Sequence, residues 1–230
     1  MNGLAEINRT QLQERTAPIV DEYFIHCHWN SQRTLVAYVP PDAHTFLDLG
    51  CGPNADIVSL LPDMDYTGID FIPQYISALA HKHAGVGPFD FSRRRFWLAA
   101  IESLPFPDES FDVVYSRHTL EHVVDLRRAL SEIQRVLKPG GRFIFCVPAD
   151  PRDTEPAHIT RWRAYRWLRA ISSIVSVRSF AQHEYFADEL YGYGVKEGAV
   201  GRSWSDRAYR LLRRLYNLRQ YGPIWLLRGP

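Results

Sequence analysis

The feature that most constrains the fold is a regular alternation of short apolar runs with helical segments between residues 44 and 148. The apolar runs predict strands at Thr45–Leu49, Tyr66–Asp70, Phe96–Ala99, Phe111–Ser116 and Arg142–Val147. Helices are predicted between them, at Ala55–Leu61, from Pro73 to about His83, and at Leu120–Leu137. Strands that are almost entirely apolar and alternate with helices are typical of a parallel sheet covered on both faces. The sequence therefore predicts a doubly wound α/β domain, whose ligands bind at the carboxyl ends of the strands.

The segments on either side of this core are less regular. Residues 1–40 are predicted to be a helical cap, and the prolines of residues 148–160 predict a loop over the carboxyl edge of the sheet. A helix is predicted at Arg161–Ile171 and a weak strand at Ser173–Val177. We interpret residues 1–230 as one domain, with a cap (1–40), a cofactor-binding core (41–148) and an acceptor-binding, C-terminal amphipathic region (149–230).

The charges of the chain are divided between its two halves. Residues 1–151 carry 13 basic and 19 acidic side chains, whereas residues 152–230 carry 14 basic and 7 acidic ones, and the net charge is +1. Much of the positive charge lies in DRAYRLLRRLYNLRQY, from Asp206 to Tyr221, which predicts an Arg-rich amphipathic helix. Packing on the sheet, a peripheral membrane contact and an oligomer contact through residues 206–227 all stay open. Nucleic acid is disfavoured because no RNA-binding module is visible.

The expected compartment follows from what the sequence lacks. The longest stretch without a charged residue, Phe71–His81, has 11 residues, whereas a spanning helix needs about 20 apolar ones. The first residues contain no apolar core of a signal peptide, and three cysteines are too few for a disulfide framework. We expect a cytoplasmic protein, with peripheral membrane contact left open.

The strongest local signal is the glycine turn in FLDLGCGPN, which follows the first predicted strand. Glycines at such a turn let the backbone approach a ligand, and Asp70, twenty residues after Gly50, stands where a carboxylate can bind both hydroxyls of a ribose. The nicotinamide fingerprint is not matched, since Ala55 replaces its last glycine, and the lysine of a P-loop is absent. The pair predicts a cofactor that contains a nucleoside.

Four motifs in order then resemble those of class I S-adenosylmethionine-dependent methyltransferases: FLDLGCGPN, YTGIDF, SLPFPDESFDVVYSRHTLEHVVD and ALSEIQRVLKPGGRFIFCVP. The resemblance covers about residues 44–148 and is closest to small-molecule and glycan methyltransferases. It implies a Rossmann-like, mostly parallel sheet of about seven strands with helices on both faces. It also implies S-adenosyl-L-methionine as the cofactor and a small-molecule or glycan acceptor as the partner.

The resemblance further implies a set of cofactor-binding residues. Asp48 and the turn Gly50, Cys51 and Gly52 would hold the methionine end of the cofactor. Asp70 would bind the ribose, Phe71 and Ile101 would lie at the adenine, and Ser116 and Arg117 would border the sulfonium. Ala100 stands where the family often has an acidic residue, so the adenine amino group is left to a main-chain carbonyl, to Glu102 or to water.

Histidines are the candidates for the chemistry, because transfer to a hydroxyl requires removal of its proton. In the methyltransferases that this segment resembles, the histidine at the position of His122 faces the acceptor pocket, so His122 is the predicted base and His118 the second candidate. His158 and Arg152, in the loop after the fifth strand, are predicted to contact the acceptor. For each histidine a capping, packing or exposed loop role stays open.

The stretch His118-Thr-Leu-Glu-His122 also matches H-x-x-E-H, a zinc-peptidase pattern. The pattern falls where the methyltransferase motif already has a histidine, and no further ligand is evident downstream. His26-Cys27-His28 is a second short cluster without evident partners. We therefore predict no metal site, and a divalent ion at His118 or His122 stays open as an alternative.

The sequence leads to one main hypothesis and two alternatives. The main hypothesis is an S-adenosylmethionine-dependent methyltransferase that methylates a hydroxyl of a small molecule or glycan by in-line displacement, with histidine-assisted deprotonation. The alternatives are transfer to a nitrogen or carbon, and a non-catalytic subunit that binds the cofactor.

Overall fold

A seven-stranded sheet organises the computed structural model, which describes residues 33–82, 93–183 and 189–197. The strand order is β3-β2-β1-β4-β5-β7-β6, with β7 antiparallel to both of its neighbours and the other pairs parallel. The strands are β1 (Thr45–Leu49), β2 (Asp65–Asp70), β3 (Arg94–Leu98), β4 (Phe111–Arg117), β5 (Leu137–Pro148), β6 (Ser176–His183) and β7 (Glu189–Val195). The prediction of a mostly parallel, doubly wound α/β fold is confirmed.

The described helices are short and lie in the connections between strands. They are the 3₁₀ helices Asp56–Leu60 and Leu120–His122 and the α-helices α1 (Pro73–Lys82), α2 (Leu126–Val136) and α3 (Ala164–Ile171). The helix predicted over Leu120–Leu137 is interrupted, because the Asp125 carboxylate accepts a hydrogen bond from the Arg128 amide and starts α2 there. Its end was also predicted wrongly: Leu137 has extended dihedral angles and begins β5.

The sheet separates two apolar layers, as the almost continuous apolar strands predict. Along β1, Phe46 packs in one cluster and Leu47 in the other, and along β4 the same alternation separates Val113 from Val114. Side chains of α2 and α3 complete the layer of Leu47 and Val114, called here the first layer. The second layer, that of Phe46 and Val113, is completed by α1 and the residues after β1. Successive residues of one strand point to opposite faces, so each strand contributes to both layers.

The amino ends of β1 and β4 are joined by Asp112. One carboxylate oxygen of Asp112 accepts from the amides of His44 and Thr45 and from the Thr45 hydroxyl, at 2.8–3.0 Å. The other oxygen accepts from Lys138 Nζ at 2.8 Å. Burial alone would raise the pKa of Asp112, but the Lys138 ammonium and the Thr45 and His44 donors outweigh it and lower the pKa well below its ordinary value.

Several predictions concern residues beyond those described. Residues 1–32 of the predicted cap, the His26-Cys27-His28 cluster and the helix at 206–227 lie outside the described ranges. Residues 33–36 form a helical turn whose Leu35 is buried in the second apolar layer. Among the described residues, the helices are all too short or too polar to cross a membrane. The division of the chain into cap, core and acceptor region stays a prediction.

Candidate cofactor and acceptor site

A cavity of about 210 Å³ lies at the carboxyl ends of β1 to β4. The chain order reverses at β1, which has β2 on one side and β4 on the other, and such a point is the usual ligand crevice of a doubly wound sheet. The cavity is lined by Gly50, Gly52, Ile69, Asp70, Phe71, Ile72, Tyr75, Ala99, Ala100, Ile101, Glu102, His118, Thr119, His122, Val123 and Val124.

The glycine turn is fixed against the end of β2 and against the segment that follows β4. The amides of Gly50 and Cys51 both donate to the Ile69 carbonyl at 2.9 Å. Gly50 has φ +71°, and a Cβ at this position would come within 2.5 Å of the Thr119 side chain. Only glycine fits this combination of a left-handed backbone and close contact, so the sequence places Gly50 where the loops must meet.

Asp70 lies at the end of β2, on the wall of the cavity, with 7 % of its surface exposed. Its Oδ2 accepts from the Gly52 amide and its Oδ1 from the Ile72 amide, each at 3.0 Å. Burial raises the pKa of Asp70, and the amide donors only partly offset this. The carboxylate of Asp70 is therefore hydrogen-bonded to the glycine turn at the wall of the cavity.

Four of the predicted cofactor residues lie outside the cavity lining. Asp48 is 3 % exposed, and its Oδ2 accepts from the Tyr66 hydroxyl at 2.6 Å. Burial raises the pKa of the Cys51 thiol, so this cysteine is neutral. Ser116 is fully buried in β4, and Arg117 ends that strand. Gly50, Gly52, Asp70, Phe71 and Ile101 do line the cavity.

His118 lies between two carboxylates at the end of β4. Its Nε2 is 2.6 Å from Glu189 Oε1, and its Nδ1 is 3.4 Å from Glu121 Oε1. Burial alone would lower the pKa of His118, but contacts with Cys146, Glu121 and Glu189 outweigh it and raise the pKa well above its ordinary value. The imidazole is therefore protonated near neutral pH, which suits it to holding charge rather than to accepting a proton.

The pKa of His122 is shifted in the opposite direction from that of His118. Its Nδ1 is 2.9 Å from the Ala157 carbonyl, so that nitrogen carries the hydrogen and the lone pair is on Nε2. Burial lowers the pKa of His122, although Glu121 and the Ala157 carbonyl act in the other direction. His122 lines the cavity as a neutral imidazole with a fixed tautomer, which is the form that can accept a proton.

His158 and Arg152 come from the same loop but lie in different surroundings. The rings of His158 and His122 pack edge to face with centroids 4.8 Å apart. The Nδ1 of His158 contacts the Asp153 carboxylate, and its Nε2 is 3.8 Å from Glu121 Oε1. Arg152, with 83 % of its side chain exposed, pairs with Asp150 and lies outside the cavity lining.

Glu121 is the residue at this site whose importance the sequence did not predict. Its side chain is completely buried, and neither carboxylate oxygen accepts a hydrogen bond from the described residues. Its main-chain carbonyl accepts from the amides of Ile159 and Thr160, at 2.8 and 3.0 Å, which ties the loop after β5 to the turn after β4. The H-x-x-E-H pattern contained Glu121, but the contact with His158 depends on the fold.

Comparison with known proteins finds similarity to methyltransferases. A family model described as a methyltransferase domain matches residues 47–145. The chain is 26 % identical over 186 residues to a sterol 4-C-methyltransferase of Caenorhabditis elegans, covering 80 % of this chain and 54 % of that protein. It is 29 % identical over 212 residues to a 2-methyl-6-phytyl-1,4-hydroquinone methyltransferase of Synechocystis, covering 86 % of this chain and 63 % of the relative. The chain thus spans less than two thirds of each relative.

A solved structure supports the fold. The N-methyltransferase NodS of Bradyrhizobium japonicum, determined with S-adenosyl-L-homocysteine, superposes with a TM-score of 0.60 at 18 % identity. The match covers 73 % of this chain and 86 % of NodS. Together with the glycine turn, Asp70 and the cavity at the switch point, the match over residues 47–145 supports a class I S-adenosylmethionine-dependent methyltransferase domain in this part of the chain.

Proposed function

We propose that this protein transfers a methyl group from S-adenosylmethionine to a hydroxyl of a small molecule or glycan. The observation that carries the proposal is His122, a neutral imidazole with a fixed tautomer that lines the same cavity as Asp70 and Gly50. A cofactor site and a proton acceptor in one cavity are the two parts that O-methylation requires.

The cofactor is expected to lie along the wall formed by the segments after β1, β2 and β3. Asp70 would accept hydrogen bonds from the ribose hydroxyls, and Phe71 and Ile101 would contact the adenine. The glycine turn would hold the methionine end. Since His118 and His122 line the wall formed after β4, a cofactor held in this way would present its sulfonium methyl group on the side of His122.

The proposed reaction is a single in-line displacement. The acceptor oxygen forms a bond to the methyl carbon while the carbon–sulfur bond breaks, and the electron pair of that bond returns to sulfur. The hydroxyl proton passes to Nε2 of His122 and then to solvent. The products are a methyl ether, S-adenosylhomocysteine and one proton, and alignment of the two reactants supplies much of the rate.

A second candidate is transfer to carbon. One relative is named a sterol 4-C-methyltransferase, and another acts by its name on a hydroquinone. Removing the proton from a phenolic hydroxyl makes the ring carbons more nucleophilic, so the same histidine would serve this reaction. A nitrogen acceptor, or a subunit that binds the cofactor without turnover, is a further alternative.

The test uses the full chain, S-adenosylmethionine with an isotopically labelled methyl group, and a panel of glycan, phenol and sterol acceptors. For an accepted substrate, we expect His122→Gln to lower kcat by about 10²–10⁴-fold, the usual contribution of general base catalysis. The affinity for S-adenosylhomocysteine should stay within about twofold. His44→Gln, which changes an exposed histidine at the other edge of the sheet, is the matched control.

Each outcome of this test has a definite reading. A labelled methyl ether supports O-methylation, and a labelled carbon–methyl bond supports the second candidate. Unchanged turnover in His122→Gln removes the base assignment. Firm cofactor binding without turnover on any acceptor favours a non-catalytic subunit.

A further inference from the structure

The starting observation is the side chain of Glu121. A carboxylate buried without a hydrogen bond carries a large desolvation cost, so a group of this kind in a native structure requires a compensating partner. Both oxygens of Glu121 lack a hydrogen bond from the described residues, and ring nitrogens of His118 and His158 lie 3.4 and 3.8 Å from Oε1. The carboxylate thus faces the imidazoles of His118 and His158 without a hydrogen bond of normal geometry to either.

The second observation is convergence of three ligand atoms. One oxygen of Glu121 and one ring nitrogen each of His122 and His158 lie within 4.8 Å of one another. Two ligand atoms about 2.0–2.2 Å from one ion stand at most about 4.4 Å apart, so small side-chain adjustments would bring the three atoms onto a shared ion.

The third observation concerns the other nitrogen of each imidazole. Nδ1 of His122 bonds to the Ala157 carbonyl, and Nδ1 of His158 contacts the Asp153 carboxylate. A metal-binding histidine almost always donates its second nitrogen to a carbonyl or carboxylate, which fixes the ring and raises the basicity of the ligand nitrogen. Both histidines have this arrangement, so Nε2 is in each the nitrogen that would bind an ion.

The main chain holds the three residues in place. The Glu121 carbonyl accepts from the amides of Ile159 and Thr160, so the turn carrying Glu121 and His122 is bonded to the loop carrying His158. His158 lies in that loop 36 positions after His122 in the sequence. Two separate segments are thus fixed against each other where their ligand atoms meet.

We propose that Glu121, His122 and His158 bind a divalent first-row transition ion, such as Zn²⁺ or Mn²⁺, beside the cofactor cavity. Two imidazoles and one carboxylate favour such an ion over Mg²⁺ or Ca²⁺, which prefer oxygen ligands. Three protein ligands leave at least one coordination position open, as in catalytic metal sites.

The role of this ion rests on the proposed function, although its binding does not. A hydroxyl coordinated to the ion would have a lower pKa, and Glu121, His122 and His158 would hold the ion that binds it beside the cavity. With the ion bound, Nε2 of His122 is a ligand, and the acceptor proton passes to solvent instead of to the imidazole. The bonds formed and broken in the methyl transfer are otherwise the same.

The test measures ion binding directly, on the full chain after dialysis against a chelator. Calorimetric titration with Zn²⁺ and the visible spectrum with Co²⁺ are both expected to show one site per chain. Glu121→Gln and His158→Ala should each weaken binding by at least about 100-fold, more than the loss of a partner behind a ligand usually costs. Asp153→Asn, which changes such a partner, should weaken binding by about 10–100-fold.

Two controls separate this site from others. The double variant His26→Ala/His28→Ala removes the other short cluster in the sequence and should bind the ion as the wild type does. His44→Ala should also be unchanged. Thermal unfolding and S-adenosylhomocysteine binding of every variant check that the fold is intact.

The possible results decide between distinct conclusions. If the wild type binds neither Zn²⁺ nor Co²⁺ at stoichiometric amounts, or if Glu121→Gln and His158→Ala bind as well as the wild type, the proposal is wrong, and His118 alone balances the charge of Glu121. Ion binding without any methyl transfer would leave the site standing and remove only its proposed role. Methyl transfer that is unaffected by chelation would leave the proposed function standing and show that the reaction does not use the ion.

Discussion

Two acidic residues near opposite ends of β4 differ in the number of hydrogen bonds that their carboxylates accept. Asp112, at the amino end of β4, accepts from two amides, one hydroxyl and one ammonium group. Glu121, just beyond the carboxyl end of β4, is more deeply buried but has no hydrogen bond to its side chain from the described residues. The better satisfied carboxylate is thus the more exposed one.

The difference separates a residue that stabilises the fold from one that is positioned for binding. The donors around Asp112 lie at the start of β1 and in β5. Their hydrogen bonds therefore link these two strands to β4 and stabilise the sheet. The groups near Glu121 are the imidazoles of His118, which lines the cavity, and of His158, which packs against the cavity-lining His122. Unsatisfied or strained groups concentrate at functional sites, and His118 next to Glu121 also has a positive φ, +48°.

The largest effect on stability is expected for Asp112→Asn. The change removes the ion pair with Lys138 and turns an amide NH₂ toward groups that are themselves donors, so the free energy of unfolding should fall by about 2 kcal/mol. Urea unfolding at pH 7 measures this. Asp108→Asn, at a carboxylate with 75 % of its side chain exposed that pairs with Arg135, is the control and should cost less than about 1 kcal/mol.

The pH dependence of the same variant sharpens the prediction. The pKa of Asp112 is lowered in the folded protein, so its contribution is present above the ordinary carboxyl pKa of about 3.9 and is lost as the pH falls through the lowered value. The stability difference between wild type and Asp112→Asn should be constant from pH 5 to 7 and should shrink below about pH 4. A difference that stays constant through pH 3 would contradict the role assigned to the charge.

A smaller effect is expected for Glu121→Gln in metal-free protein. No hydrogen bond to the carboxylate is lost, and His118 keeps Glu189 as a charge partner at 2.6 Å. The free energy of unfolding should therefore change by less than about 1 kcal/mol, because removing a buried charge offsets the lost contacts. If this variant is destabilised as much as Asp112→Asn, Glu121 is a structural residue and the comparison fails.

Much of the sheet could be predicted from local patterns. The strands β1, β2 and β4 lie within a residue of their predicted positions, because each is an apolar run with a clear end. The strand β7 was missed, since two of its buried positions are Gly192 and Gly194 and its pattern is therefore weakly apolar. At Gly192 a Cβ would come within 2.2 Å of the Ser179 carbonyl oxygen, so close packing with β6 requires a glycine that carries no hydrophobic signal.

The site was predictable where its residues are close in the sequence. The glycine turn, Asp70 and His122 belong to motifs that local spacing and the family resemblance identify. The approach of His158 to Glu121 and of Glu189 to His118 depends on how distant loops and β7 are placed, which no local pattern encodes. For this reason the H-x-x-E-H pattern gave no metal prediction, although the fold supplies a third candidate ligand.

The most direct test of the central claim, a class I cofactor site at the carboxyl edge of the sheet, is calorimetric titration with S-adenosylhomocysteine. The wild type should bind one molecule per chain. Asp70→Ala should bind at least about tenfold more weakly, because charge-assisted bonds to the ribose are lost. Asp112→Asn, at the opposite edge, should bind within about twofold of the wild type while folded. No binding at millimolar cofactor, or equal binding by Asp70→Ala, would contradict the account.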